Sequence, residues 1–214
     1  MESDRRHFLR LLFTAPLGLA LFTRLGGPDE ASAAEALLAA ASRGDRLSPT
    51  PDCDDGDDPT PSETEGPFFK PRSPVRMSLL EPGLAGTRLE LAGRVYGRNC
   101  RPVPGALLDF WHSDDGGEYD NVGFRLRGHQ YADAEGRFRL STIVPGLYPG
   151  RTRHIHVKVQ PRGGRVLTTQ LYFPGEPRNR RDGLFRPELL MAIDTDAKPR
   201  RARFHFVLDG NGSA

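Results

Sequence analysis

The stretch His154-Ile-His156-Val-Lys158-Val-Gln160 reads as a β-strand by its strict alternation. A strand sends successive side chains to opposite faces, so Ile155, Val157 and Val159 share one apolar face. His154, His156 and Lys158 project from the other. One face suits a core, and the opposite face presents two imidazoles a few residues from a turn.

The same signal recurs on both sides of this segment. Leu89, Leu91 and Val95 open one strand, Ala106 to Trp111 forms an apolar-dense second, and Phe138-Arg-Leu140-Ser-Thr142 alternates cleanly. Val166 to Phe173 and Arg203 to Leu208 complete the series. Turn clusters separate them, among them Asn99 to Gly105, Asp133 to Gly136 and Pro145-Gly146. With 24 glycines and 19 prolines, and no long helical period, the chain is expected to be all-β. Short strands at this spacing predict an antiparallel β-sandwich core with long active-site loops.

Outward from that core the organisation changes. Residues 1–33 read as an export signal: Arg5-Arg6-His-Phe-Leu, an apolar run from Leu11 to Thr23, a break at Gly26-Gly-Pro28, and the small residues Ala31-Ser-Ala33. The paired arginines resemble a twin-arginine signal, so the mature protein is expected in the periplasm or outside the cell, with no membrane span after processing. Residues 34–62 read as a linker and 63–210 as the folded domain. Two cysteines, Cys53 and Cys100, are present. In an oxidising compartment an even pair reads as a disulfide. The net charge is +2, and the late basic clusters Arg178-Asn-Arg180-Arg181 and Lys198-Pro-Arg200-Arg201 lack interleaved aromatics. Nucleic acid is therefore not an expected partner.

By itself a His-x-His pair is a weak signal, since paired surface histidines without a ligand are the commoner outcome. A zinc or iron(II) site would add a third histidine or a carboxylate. Near this strand stands a tyrosine instead, Tyr148 in Pro145-Gly-Leu-Tyr148-Pro149 on the turn feeding the strand. A second, Tyr119, ends Trp111-His-Ser-Asp-Asp-Gly-Gly-Glu-Tyr119. Phenolate is a hard anionic ligand suited to iron(III), and two of them offset much of a trivalent charge.

The chain resembles the intradiol ring-cleavage dioxygenases, the family of catechol and protocatechuate dioxygenases. The likeness runs in order through Thr64-Glu-Gly-Pro67-Phe-Phe69, Pro102 to Ala106, Trp111…Asp114…Gly117-Glu-Tyr119 and Arg127-Gly128. It continues through Asp133…Gly136, Thr142 to Tyr148, Arg151-Thr-Arg-His154-Ile-His156 and Thr169-Gln170-Leu-Tyr-Phe173. The resemblance implies that Tyr119, Tyr148, His154 and His156 ligate Fe(III), and that Arg151 and Gln170 act beside the metal. It implies a catechol-type substrate, dioxygen as co-substrate, and a homo- or hetero-oligomer in many members, so that a homo-oligomer is possible here. The role given to Tyr148 is to leave the metal and take a substrate proton, and that given to Arg151 is to stabilise developing negative charge. A cysteine pair placed like Cys53 and Cys100 fits the exported branch. Phe69 departs from the pattern, because many relatives carry a tyrosine there.

Two other readings compete. A His-x-His strand could hold zinc or copper on the same sandwich, leaving both tyrosines without a role. A transthyretin-like, non-catalytic binding module would leave the tyrosines and histidines as ordinary surface residues. For the rest, Tyr96, Tyr131 and Tyr172 are expected to pack, Trp111 to anchor the core, and His112 and His205 to be hydrogen-bonded locally. His129 either meets substrate or caps a turn.

Overall fold

The computed structural model describes residues 58–209. The expected export signal, nearly all of the linker and Cys53 lie outside the described residues.

Among the described residues nine strands build two facing sheets. In chain order they are β1 (Arg88–Gly97), β2 (Leu107–Trp111), β3 (Arg127–Tyr131), β4 (Arg137–Ile143), β5 (His154–Gln160), β6 (Leu167–Tyr172), β7 (Ala192–Asp194), β8 (Arg200–Arg203) and β9 (Phe206–Leu208). One sheet has the order β4-β1-β8-β7, with β9 also paired to β1; the other has the order β3-β2-β5-β6. The all-β sandwich is as expected. Among the described residues the only helical elements are two 3-10 turns, Pro177–Arg180 and Pro187–Leu189.

The alternation seen in the sequence becomes the core. Leu89, Leu91 and Val95 from β1 and Phe138 and Leu140 from β4 face Leu108, Phe110, Ile155, Val157, Val159 and Leu171 from the other sheet, all buried. Phe138 joins the layers, lying 5.8 Å from the ring of Phe110 and 5.6 Å from that of Phe206.

Two features depart from the expectation. The β1–β8 and β1–β9 pairings are parallel, so the first sheet is mixed rather than antiparallel. The predicted strand 203–208 is broken between Arg203 and Phe206. At the break the Phe204 amide donates to the Ala92 carbonyl at 3.1 Å. The Phe204 carbonyl presses so close to Gly93 that a Cβ there would stand 1.7 Å from it. Only glycine admits this approach.

A strap precedes β1 and runs over the outer face of the β3-β2-β5-β6 sheet. Thr60 pairs with Val207, Glu63 donates to the Thr168 carbonyl, and Thr169 donates to the Pro61 carbonyl. Residues assigned by composition to the end of the linker are thus bonded into the sheets. Farther on, the strap closes the sandwich edge, bridging at Val75 to His129 of β3 and at Ser78 to Ser141 of β4.

Candidate metal centre

Strand β5 carries the two histidines outward from the core, both buried beneath the strap: His154 is 4% exposed and His156 3%. Their Nε2 atoms are 3.1 Å apart. Beside them Trp111 of β2, opposite His156 in register, lies parallel to its ring at 4.8 Å and 6°. Trp111 is buried as expected, but on the outer face of its sheet, where it is a wall of the site.

The tyrosines reach the same place through two interlocked loops. The Gly146 amide donates to the Asp114 carbonyl at 2.6 Å, and the Ser113 hydroxyl to the Gly146 carbonyl at 3.3 Å. A Cβ on Gly146 would stand 2.3 Å from the Gly117 nitrogen, and one on Gly117 2.6 Å from the Leu147 carbonyl. Two glycines are therefore the condition for the loops to touch. They bring the Tyr119 and Tyr148 rings to 5.8 Å, edge to face. Tyr119 is buried, with its hydroxyl 3.3 Å from His154 Nε2. Tyr148 is only partly buried and forms the solvent side of the cluster. Phe68 of the strap stacks on Tyr119 at 4.4 Å and meets Tyr148 edge-on at 5.3 Å.

The electrostatics fit a cation. His154 Nδ1 bonds the Thr152 carbonyl at 2.6 Å, so Nδ1 carries the proton and Nε2 presents its lone pair. Burial holds His154 down to about 4 and His156 well below its usual value, so both are neutral near pH 7. Neutral imidazole is the ligating form. Burial pushes the Tyr119 phenol up, against the pull of Arg151 and Arg127. Only a further positive charge at this spot would leave it ionised. His156 Nδ1 is buried and has no hydrogen-bond partner among the described residues. Two phenols and two imidazoles thus gather as a four-donor set that fits iron(III). Among the described residues no group of three or more His, Cys, Asp or Glu is placed to hold a metal. A zinc site of imidazole and carboxylate alone is therefore not built there. Nor are these ordinary surface residues, as a non-catalytic module would have them.

Arg151 and Gln170 stand together. Arg151 Nη2 donates to Gln170 Oε1 at 2.7 Å, and Gln170 Nε2 donates to the Thr64 carbonyl of the strap at 3.0 Å. Asp182 was not legible beforehand. Its Oδ2 accepts from Arg151 Nε and from the Thr152 amide, both at 2.8 Å. Burial raises its carboxyl, but the Thr152 and Leu184 amides and Arg151 outweigh that and hold it below the usual range. Tyr172 completes the group, its one hydroxyl proton within reach of the Leu184 carbonyl at 2.9 Å and of Gln170 Oε1 at 3.2 Å.

Arg127 is a second residue the motif did not explain. It is buried, and among the described residues its side chain bonds only carbonyls, the Asp120 oxygen at 3.1 and 2.9 Å and the Phe68 oxygen at 2.5 Å. It ties the Tyr119 loop to the strap. Phe69, the departure from the family pattern, meets Trp111 at 4.9 Å, and Lys158 lies 3.6 Å above its ring.

The remaining histidines fall outside the centre. His112 bonds the Ser113 carbonyl and the Thr142 hydroxyl, each at 2.7 Å, and His205 accepts from the Arg94 amide at 3.1 Å. His129 meets the Ser73 hydroxyl at 3.1 Å on the strap. Tyr96 and Tyr172 are buried, whereas Tyr131 is 59% exposed, contrary to the expected packing, because β3 is an edge strand. A cleft of about 570 Å³ opens beside Thr87, Glu90 and Arg200 and holds none of the four donors. Donor chemistry identifies the centre here, and the size of a hollow does not.

Comparison with known proteins agrees with this geometry. Residues 64–210 match the family described as Dioxygenase (Dioxygenase_C). The solved dioxygenase domain of a dioxygenase carbohydrate-binding protein fusion from the cellulolytic bacterium Streptomyces sp. SirexAA-E is 59% identical, with a TM-score of 0.69, over 71% of this chain and 99% of that one. Catechol 1,2-dioxygenase 2 of Acinetobacter lwoffii is 31% identical over 144 residues, 55% of this chain and 52% of the relative. Chlorocatechol 1,2-dioxygenase of Rhodococcus opacus is 29% identical over 191 residues, 71% of this chain and 73% of the relative. The chain spans about half the length of the Acinetobacter relative. With the family match running over residues 64–210 and both tyrosines clustered beside the histidine pair, the chain belongs to the intradiol ring-cleavage dioxygenase family.

Proposed function

We propose that this chain is an iron(III)-dependent dioxygenase that opens catechol-type rings between their two hydroxyl-bearing carbons. One ring C–C bond breaks and both atoms of dioxygen enter the product, a muconate-type diacid, so no external reductant is needed. The observation that carries the reading is the convergence of Tyr119, Tyr148, His154 and His156.

Tyr119, Tyr148, His154 and His156 would hold the iron(III), which would supply Lewis-acid chemistry that makes a catechol ring reactive toward dioxygen. His154 and Tyr119 are the buried, fixed donors. Tyr148, on the solvent side, would take one substrate proton at Oη. Arg151 is the preorganised positive charge for the anion that develops on the ring. Gln170 and Asp182 fix its direction from two sides, which removes the reorganisation cost at the moment of reaction. Phe68 roofs the tyrosine pair and keeps water from Tyr119.

The mature enzyme is read as working outside the cytoplasm, after export through the signal at 1–33 and with Cys53 paired to Cys100. No free cysteine occurs among the described residues, which is compatible with that pairing.

The test is purification of the mature protein, elemental analysis, and visible spectra before and after anaerobic catechol. Expected are about one iron per chain, a red-brown phenolate charge-transfer band that shifts with catechol, and consumption of one dioxygen per ring. A colourless or zinc-bearing protein that cannot be reconstituted with iron would overturn the reading.

A further inference from the structure

The outer face of the β4-β1-β8-β7 sheet, on the far side of the sandwich from the metal centre, carries an unusual arrangement of arginines. The register places Arg139, Ala92, Arg203 and Ala192 in one row across the four strands. The next row along β1 sets Arg137 beside Arg94, and the Arg94 amide donates to His205 at 3.1 Å. All these side chains point outward, since their neighbours Leu91, Phe138, Leu140 and Ala202 are buried in the core.

Arg137 is paired with Asp133 and Glu135. Among the described residues Arg94, Arg139 and Arg203 have no ion pair. The row on the other side reads Ser141, Glu90, Arg201, Asp194, in which acidic and basic residues alternate and offset one another. The positive potential is thus a stripe about two rows wide, floored by Ala92 and bordered by acidic side chains on both flanks. With strands ~4.8 Å apart, the Arg139 and Arg203 backbones stand about 10 Å apart across that floor.

We propose that this stripe binds a linear acidic polysaccharide, with carboxylates seated between Arg139, Arg94 and Arg203. Charge complementarity names the sign, and the guanidinium fork matches a carboxylate. Shape narrows the class. A broad anionic bilayer would press on Glu90, Asp194, Asp133 and Glu135, and none of the exposed large apolar residues, Val75, Met77, Val122, Tyr131, Val166 and Leu184, lies on these strands. A single-stranded nucleic acid would want aromatic platforms, and the one aromatic of this face, Tyr96, is 5% exposed. Because the stripe and the metal centre are on opposite sheets, a chain held here leaves the catalytic face open.

The experiment measures binding of the mature protein to fluorescein-labelled polygalacturonate by anisotropy over a series of salt concentrations, with labelled dextran and a labelled single-stranded oligonucleotide alongside. Two paired variants are used, Arg139→Glu with Arg203→Glu, and the milder Arg139→Gln with Arg203→Gln, which carries the test if charge reversal perturbs folding. Expected are saturable, salt-sensitive binding to polygalacturonate, none to dextran, and at least tenfold weaker binding in both variants with near-ultraviolet circular dichroism unchanged. Catechol turnover is measured separately, so an inactive protein that still binds would fail the dioxygenase reading and leave this surface standing. Absent binding at low salt, equal binding by the Gln pair, or oligonucleotide binding as tight as polygalacturonate overturns the proposal.

Discussion

Asp182 Oδ2 and Arg151 Nε meet at 2.8 Å across 31 positions of sequence. The Asp182 side chain is 3% exposed and that of Arg151 18%, so the pair is largely shielded from solvent. The same carboxylate holds the Thr152 amide, two residues before His154. One acidic side chain therefore aims the guanidinium and steadies the approach to the first histidine.

Asp182→Asn should keep the side chain's shape while weakening its hold on Arg151. A catalytic charge displaced by about 1 Å costs up to a hundredfold in rate. The expected result is a kcat lowered about ten- to a hundredfold with a KM changed less than threefold and iron content retained. Steady-state oxygen uptake with catechol and elemental analysis check it. Loss of iron in step with activity would show Asp182 to be a structural support for the ligand strand.

His154→Ala removes a donor whose tautomer is fixed by the Thr152 carbonyl, so bound iron should fall to a small fraction of the parent value. Tyr119→Phe removes a phenolate while keeping the Phe68 stack, and the visible band should weaken and shift. Arg151→Ala should leave iron content near the parent value and lower turnover more than a hundredfold. Metal analysis and absorption spectra on the three proteins separate these outcomes.

Arg127 is buried and bonds three times to two carbonyls of the Tyr119 loop and the strap. Arg127→Met fills the volume but leaves the Asp120 and Phe68 oxygens without their donor. An unsatisfied buried carbonyl costs about 1–3 kcal/mol, so the midpoint of denaturant unfolding should drop accordingly. The Phe68 and Tyr119 contact should also loosen, raising KM for catechol. An unchanged midpoint would mean that solvent replaces both bonds.

His112 is the clearest titrating element of the sandwich. Burial lowers its pKa to about 4, opposed by its bond to the Ser113 carbonyl. A depressed folded-state pKa gives a contribution present in full above the unfolded value near 6.5 and lost as pH falls toward 4. The loss is on the order of 3 kcal/mol. Unfolding free energies of the metal-free protein should therefore fall between pH 6.5 and 4. His112→Gln, which keeps a partner for Thr142, should flatten that slope, and parallel slopes in the two proteins would refute the assignment.

The divide between sequence and tertiary structure follows the range of each interaction. Alternation in 154–160 made the strand, its buried face and the paired histidines readable, because period-two patterning is local. Tyr119 and Tyr148 were readable because they stand in short motifs beside a turn. Asp182 carries no such mark. It lies in a loop of charged residues, and its importance comes from a contact formed only after β5, β6 and the segment after them have packed. Arg127 is the same case, since carbonyl acceptors have no signature in a side-chain alphabet. The parallel pairing of β8 and β9 with β1 was equally hidden. A continuous alternating run from Arg203 to Leu208 gives no hint that the Phe204 carbonyl will turn into the space left by Gly93.

By itself, then, the sequence determined the all-β class, the face of β5 that holds the histidines and the chemical kind of donor. Each of these rests on residue type and short spacing. Only the tertiary structure decided that two glycine-bearing loops interlock so that the tyrosines meet, that Asp182 and Gln170 hold Arg151 from two sides, and that arginines from three strands align opposite the metal centre. Those are relations between segments tens of residues apart, and they exist only once burial of the shared core has fixed the strand register.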